Sequence, residues 1–324
     1  MQLPVDLRGA IDQALEGVSR NSLAERASRI SEIYRAGGAS SLAICDEMDA
    51  LAYAVARMPA TYAAVRNALS RFEERCPEFA PSRILDLGAG PGTASWAATE
   101  AWPAIESIAQ IDSNNPLLNL GRRFAESSPS HALRNAHRVA ADLAHEPESG
   151  QPVDLVLVSY TLAELGPAKM NKVLISTWLR CSGAVVIVEP GTPLGYERIL
   201  RARDLLIAQG ARILAPCPHQ LKCPLLAPDW CHFVQRVARS RDHMLLKSAE
   251  APYEDERFSY LIAVREHLFH PAGKDRILAQ PDAGKVFITA KLCKLDGASG
   301  LVTIAKRDKD GFKLAKKKSW GDQF

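Results

Sequence analysis

The sequence predicts an α/β protein built on a parallel, doubly wound sheet, with a helical N-terminal cap and a late cysteine-rich insertion. Three observations predict it. Apolar strand patterns alternate with helix patterns from residue 82 to about 209. A strand, a tight glycine turn and a helix start follow one another in Ile-Leu-Asp-Leu-Gly-Ala-Gly-Pro-Gly-Thr at 84–93. The alternation then stops at 215–233, where four prolines, three cysteines and two histidines fall within 19 residues.

The chain has 324 residues, enough for a full α/β domain with additions. Its hydrophobic fraction of 47% suits a globular protein. No apolar run is long enough to span a bilayer, and the first residues, Met-Gln-Leu-Pro-Val-Asp, show neither a secretory signal nor an Arg-rich transit pattern. A bacterial cytoplasmic location, with no membrane partner, is the expectation. Seven cysteines in such a compartment point to metal ligands or reactive thiols before disulfides. The net charge of +3 is uninformative, but its distribution is not. Residues 291–318 carry nine Lys or Arg against three Asp.

Taken in order, residues 1–80 read as helices at 7–18, 23–35, 41–58 and 60–72, from apolar residues spaced three and four apart. This cap is expected to cover a sheet edge or form a substrate wall. Strands follow at 83–87, 107–111, 137–140, 153–160 and 184–188, with helices at 94–100, 167–179 and 195–209. Residues 233–247 read as a basic helix placing Arg236 and Arg239 on one face. Strands 258–266 and 285–292 are expected to close the sheet as a hairpin, giving seven strands. Two short strands, 301–305 and 312–315, are expected around an Asp310-Gly311 turn. The organisation expected is 1–80 cap, 81–210 core, 211–250 insertion and basic helix, and 251–324 terminal strands with a basic extension.

The turn spacing is G-x-G-x-G, not the G-x-G-x-x-G of dinucleotide folds. With Asp86 two residues before Gly88, it resembles motif I of class I S-adenosylmethionine (SAM) methyltransferases. Glycines permit φ > 0 and close approach of a ligand, and the helix start offers free N–H groups. The resemblance implies that Asp86, Gly88, Gly90 and Gly92 lie against the methionine part of SAM. Asp112, at the end of the second strand, would accept the ribose hydroxyls. Asp142 would lie near the adenine, and Ser159 would form the floor beside the methyl group. No motif identifies a methyl acceptor, and Tyr160 and Glu164 are the catalytic candidates nearest that floor.

Cys217, Cys223 and Cys231, with Cys293 after a strand pattern, are spaced C-x5-C-x7-C-x61-C. Four thiolates suit zinc or an iron–sulfur cluster. Zinc sites favour tight C-x2-C knuckles, so this wider spacing favours a larger object such as [4Fe–4S]. A zinc site, a redox-active disulfide, and replacement of one ligand by His219 or His232 stay open. Cys45, Cys76 and Cys181 read as ordinary helix or helix-end cysteines.

Four further stretches resemble one family. They are Arg-Met-Pro-Ala-Thr-Tyr at 57–62, Glu-Pro-Gly-Thr-Pro at 189–193, Asp-Trp-Cys-His-Phe at 229–233, and Tyr-Glu-Asp-Glu-Arg-Phe-Ser-Tyr at 253–260. With motif I they are similar to the Rsm-type methyltransferase-like proteins of the bacterial and mitochondrial small ribosomal subunit, across about 50–322. The resemblance implies a class I methyltransferase fold, SAM, and a [4Fe–4S] cluster on Cys217, Cys223, Cys231 and Cys293. It also implies association with the assembling small subunit, meeting its rRNA through 291–318 and 233–247 rather than DNA. Three functions follow from these readings: an rRNA methyltransferase, a non-catalytic assembly factor, and a small-molecule methyltransferase with structural zinc.

Overall fold

The computed structural model describes residues 1–143 and 151–324. Five helices come first: α1 (Val5–Ala14), α2 (Arg20–Arg35), α3 (Ser40–Ala43), α4 (Glu47–Ala56) and α5 (Met58–Arg75). The single helix expected at 41–58 is broken, because Asp46 caps a new start by accepting from the Asp49 N–H at 2.8 Å. Met58 and Pro59 lie inside α5, where a proline in the first turn loses no helical hydrogen bond.

The alternating region gives β1 (Arg83–Leu87), α6 (Thr93–Ala101), β2 (Ser107–Asp112), α7 (Asn115–Ala125), α8 (His131–Arg134) and β3 (His137–Ala140). It continues with β4 (Val153–Ser159), α9 (Pro167–Arg180), β5 (Cys181–Pro190) and α10 (Pro193–Ala208). Each strand sends alternate side chains to opposite faces. Leu155, Leu157, Val186 and Ile262 share one buried core with helices α1 to α6. Val156, Val158, Val185 and Leu261 share another with α9 and α10. Both faces are therefore covered, and the central strands are apolar throughout. The N-terminal helices are continuous with the first core, and α5 packs on the sheet face at β5 to β8, not on an edge.

Beyond α10 lie β6 (Arg212–Ala215), β7 (Phe233–Ala238), α11 (Arg241–Leu246) and β8 (Tyr253–Val264). The main sheet runs β3-β2-β1-β4-β5-β8-β6, with β7 also on β8. β3 to β5 are parallel, and β8 is antiparallel to β5. β6 pairs with β8 at 262–264 and β7 pairs with it at 253–258, in the same direction. They are two parts of one edge strand, so the sheet has eight strands in seven positions. The cysteine segment leaves at residue 216 and returns at 232.

The remaining chain forms β9 (Arg276–Ile277), β10 (Asp282–Ala283), β11 (Phe287–Cys293), β12 (Ser299–Ala305) and α12 (Lys309–Ala315). A second sheet, β10-β11-β12 with β9 on β11, holds them.

Three expectations are corrected here. Residues 233–247 are not one helix, because β7 completes the edge of β8 and only 241–246 is helical. Arg236 and Arg239 are consequently not helix neighbours. The strand at 285–292 exists as β11 but does not close the main sheet, because that position is filled by β6 and β7. Residues 312–315 are helical: Asp308 accepts from the Gly311 N–H at 3.0 Å and starts α12, which buries Phe312 and Ala315 against Ile288 and Ile304.

Candidate functional site

The sheet order reverses direction between β1 and β4, and in open α/β sheets ligands bind at such a switch point, beyond the strand carboxyl ends. Asp86, Asp112 and Ser159 all stand there, as does the glycine loop. The loop is left-handed at Gly88 (φ 67°), Gly90 (φ 53°) and Gly92 (φ 79°). A Cβ at Gly88 would collide with the Thr161 side chain, and one at Gly92 would come within 2.6 Å of Gln110 Nε2. At Gly90 it would meet only Leu117, at 3.8 Å. Packing thus requires two of the glycines, while Gly90 borders open space.

Asp86 is fully buried and accepts from Ser95 N (3.1 Å) and Ser95 Oγ (2.6 Å), pinning the first turn of α6. Burial pushes its carboxyl up to about 7, and its Oδ1 has no partner. Asp112 accepts from Gly90 N and from Asn114 N, each at 2.7 Å. The end of β2 is therefore bonded directly to the glycine loop. Burial raises this carboxyl as well. Asn114, buried, donates to Ile44 O (2.9 Å) and Ser40 O (3.3 Å), tying the N-terminal helices to the same crevice. Asp142 follows β3, is exposed, and lies 3.5 Å from Lys169.

Tyr160 and Glu164 are both engaged by the protein. Tyr160 adopts φ 56° and donates to Glu256 Oε1 at 2.8 Å. Burial and the Glu256 carboxylate hold its hydroxyl well above the usual range. Glu164 accepts from Ser40 Oγ at 2.9 Å, and burial raises its carboxyl. Sequence reasoning gave three neighbours of the site no role, although it set Glu189 among the acids at the strand ends. Glu189, fully buried at the end of β5, accepts from Leu162 N at 2.9 Å, and burial pushes it up to about 7. Asn114 and Glu256 are the other two. A position at a strand end was the available signal for Glu189; Asn114 and Glu256 carried none.

The second centre is built by the insertion. Cys217, Cys223, Cys231 and Cys293 line one apolar cavity together with Tyr196, Leu225, Leu278 and the backbone side of β8. Cys293 reaches it from the end of β11. Arg276, buried and opposite Cys293 in the β9–β11 pairing, donates to Pro216 O at 3.0 Å and so fastens the second sheet to the insertion. Ser259 Oγ donates to Cys231 O at 2.8 Å, and Trp230 Nε1 donates to Gly191 O at 3.0 Å. Arg203, 2% exposed, donates to Leu221 O at 2.6 Å across the loop.

Burial, with the neighbouring thiols, pushes the Cys293 thiol up to about 12, and raises Cys217 and, far more, Cys231. The Cys217, Cys231 and Cys293 sulfurs so placed are held neutral until a cation joins them. Tyr196 Oη lies 3.1 Å from Cys223 Sγ, and His219 Nε2 lies 3.4 Å from Cys293 Sγ. His219 therefore stands beside the Cys293 sulfur, although it does not line the cavity. His232 is turned away, stacked on Trp230 at 5.0 Å and edge-on to Trp320 at 4.8 Å. All seven cysteines are free thiols, and Cys45, Cys76 and Cys181 stand outside the cavity. Four soft donors in an apolar cavity fit a thiolate-bound metal centre.

A seven-position sheet with one antiparallel strand inside its edge, and a glycine loop bonded to an acid at the end of the next strand, define a class I methyltransferase-type α/β protein. Within that class, the chain belongs to the family described as mitochondrial small ribosomal subunit Rsm22, whose profile matches residues 47–324. It is similar to the human ribosome assembly protein METTL17, mitochondrial, with 27% identity covering 84% of this chain and 61% of the relative. It also resembles Rsm22-cox11 tandem protein 2, mitochondrial, of Schizosaccharomyces pombe, with 23% identity covering 85% of this chain and 43% of that one. The chain thus spans less than two thirds of the length of these curated relatives. Among solved structures, the SAM-bound magnesium protoporphyrin IX methyltransferase of Synechocystis overlays with a TM-score of 0.42 and 13% identity, covering 64% of this chain and 80% of that one. No helix among the described residues is long and apolar enough to cross a membrane.

The two buried carboxyls give a pH dependence. Asp86 and Glu189 in the folded chain keep their protons up to about 7, whereas in the unfolded chain they lose them near 4. Between those values the folded state binds more protons, so stability falls as pH rises through the window. Urea unfolding should show a lower unfolding free energy at pH 8 than at pH 5. Asp86→Asn should flatten that slope; an unchanged slope would remove Asp86 from the account.

Proposed function

We propose that this chain is a SAM-binding assembly protein of the small ribosomal subunit. In this reading it carries a [4Fe–4S] cluster on Cys217, Cys223, Cys231 and Cys293 and docks on rRNA without methylating it. The single observation that carries the reading is the convergence of four cysteines, from two segments of the chain, on one cavity of a methyltransferase-type fold. The names of the family and of the human relative, which refer to a small ribosomal subunit and to ribosome assembly, supply the biological setting.

SAM would lie along Gly88, Gly90 and Gly92, with the ribose on Asp112 and the methyl group near Ser159. Asp142 would border the adenine. Each Asp112 oxygen keeps a lone pair beyond its one backbone contact, so the carboxylate remains able to accept ribose hydroxyls. Removing an acceptor for two hydroxyls costs about tenfold or more in affinity. In calorimetric titration Asp112→Ala should lose at least that much SAM affinity. Undiminished binding would refute the ribose role.

The division of labour follows the expected segments. Residues 1–80 close the crevice, 81–210 hold SAM, 211–250 hold three cluster ligands, and 251–324 bring the fourth and the RNA face. A cluster held by Cys217, Cys223, Cys231 and Cys293 would supply a covalent tie between the insertion and β11, and a redox-active centre. Anaerobically purified protein should be brown, contain iron and sulfide, and absorb in the blue–violet. Cys223→Ser or Cys231→Ser should abolish this. Colourless protein holding stoichiometric zinc under the same conditions would overturn the cluster in favour of zinc.

The non-catalytic reading is favoured over methyl transfer because Tyr160 and Glu164 are committed to Glu256 and Ser40. The RNA face is the C-terminal one. Lys306, Arg307, Lys309, Lys313, Lys316 and Lys317 are exposed and have no ion-pair partner among the described residues. The 233–247 segment is set aside for this role, since Arg236 pairs with Asp255, and Arg239 and Lys247 pair with Glu254, leaving only Arg241 exposed and without an ion pair among the described residues. Crosslinking and sequencing of RNA bound to the loaded protein should return small-subunit rRNA, with no SAM-dependent methyl incorporation into it. Reversing Lys313, Lys316 and Lys317 to Glu should weaken binding and lower its salt slope by about one for each phosphate no longer neutralised. Methyl incorporation would establish the enzyme reading instead.

A further inference from the structure

Away from both centres, Cys76, Glu78 and His270 bring one donor atom each within 4.8 Å of one another. Cys76 is the residue that closes α5, its N–H donating to Phe72 O at 2.9 Å, and its thiol donates to Glu78 Oε1 at 3.2 Å. His270 Nε2 lies 2.5 Å from the same oxygen. The two segments are far apart in sequence and are each held firmly. On one side Phe79 stacks on Phe72 at 4.6 Å, and its N–H donates to Cys76 O. On the other, Phe269 is packed against the core under the Arg212 guanidinium, 4.3 Å from its ring centroid. Arg75 donates to the His270 carbonyl.

We infer that Cys76, Glu78 and His270 form a binding site for a borderline-soft divalent cation, Zn²⁺ in the first place. The donor chemistry selects the ion. A sulfur beside an imidazole and a carboxylate suits Zn²⁺ or Co²⁺, whereas Mg²⁺ and Ca²⁺ take oxygen ligands. Tetrahedral Zn²⁺ with bonds of about 2.0–2.3 Å sets its donors about 3.3–3.8 Å apart. The thiol and carboxylate already stand near that separation. The carboxylate and imidazole must part by about 1 Å from their direct contact. Both side chains are 54% exposed and free to do so. The buried thiol closes the inner side, and the exposed side leaves a fourth position to water. Such an ion would latch the end of α5, in the N-terminal cap, to the segment that follows β8. The site shares no ligand with the four-cysteine cavity, so its fate is independent of what that cavity holds.

The test uses the full chain with its four-cysteine centre loaded. Co²⁺ is titrated anaerobically while near-ultraviolet sulfur-to-cobalt absorption and visible bands are followed. One equivalent should bind, be displaced by Zn²⁺, and raise the thermal midpoint, because a ligand of the native state stabilises it. His270→Ala and Glu78→Gln should each weaken binding at least tenfold while leaving the four-cysteine centre's own spectrum intact. Cys76→Ser should abolish the sulfur-to-cobalt band. Cys223→Ser should leave this equivalent in place. Absence of the extra equivalent would overturn the site. So would an equivalent of unchanged affinity in His270→Ala and Glu78→Gln, or one that disappears with Cys223→Ser in a protein that still unfolds cooperatively.

Discussion

Everything distinctive in this molecule depends on the pairing of β8. Its twelve residues offer two edges. One is taken by β5 along 258–264, and the other must also be satisfied, since backbone polar groups buried under α5 cannot be left unpaired. Two short strands share that second edge. The chain leaves it after Ala215, beside a register irregularity, and rejoins it at Phe233. Because both strands run along the same line of β8, the exit and the return are fixed by the ladder. Cys217 lies two residues beyond the exit and Cys231 two before the return. Their convergence is therefore a property of the sheet, not of the loop alone. Cys223 lies midway, and Cys293 is delivered by a second sheet that Arg276 fastens to Pro216.

Both centres share an electrostatic character. Around the crevice, Asp86 and Glu189 are buried and held partly protonated near neutrality. Around the cavity, burial and mutual repulsion keep the Cys217, Cys231 and Cys293 thiols from ionising. In each case desolvation of the charged form is the dominant cause. Cationic ligands would reverse the balance in both, and the proposed occupants, a sulfonium-bearing nucleoside and a metal centre, are of that kind. The preference is a chemical statement about what these sites accept, and it follows from burial rather than from motif spacing.

Much of the fold was legible because periodicity and glycine chemistry are local. The strands at 83–87, 107–111, 137–140, 153–160 and 184–188, the helices between them, and the left-handed glycine loop all follow from short-range pattern. What failed was partner choice. Phe-Val-Gln-Arg-Val-Ala at 233–238 carries Arg236, three residues before Arg239, a spacing that suits a helix, yet Phe233 and Val237 are buried with Gln235 half-buried between them on one strand face. The edge of β8 decided between them. β11 was recognisable as a strand, but nothing local says which sheet it joins. β6, four residues long and running into a proline, left too short a pattern to read. For the site, the residue types were legible and their commitments were not. Tyr160 and Glu164 stood out by position, while Glu256 and Ser40, which occupy them, lie 96 and 124 residues away.

The same strand also joins the two centres. Glu256, near the start of β8, holds the Tyr160 hydroxyl at the crevice, and Ser259, three residues on, holds the Cys231 carbonyl at the cavity. A paired strand has no freedom to shift one of these residues without the other, because a register change would move every side chain to the opposite face. An occupant of the four-cysteine cavity would thus rest on the same strand that holds the Tyr160 hydroxyl. Glu256 holds the Tyr160 hydroxyl and Ser40 holds the Glu164 carboxylate, so neither side chain stands free in the crevice as a base. Holding both centres on one paired strand suits a surface of fixed geometry, which is what the proposed docking role requires.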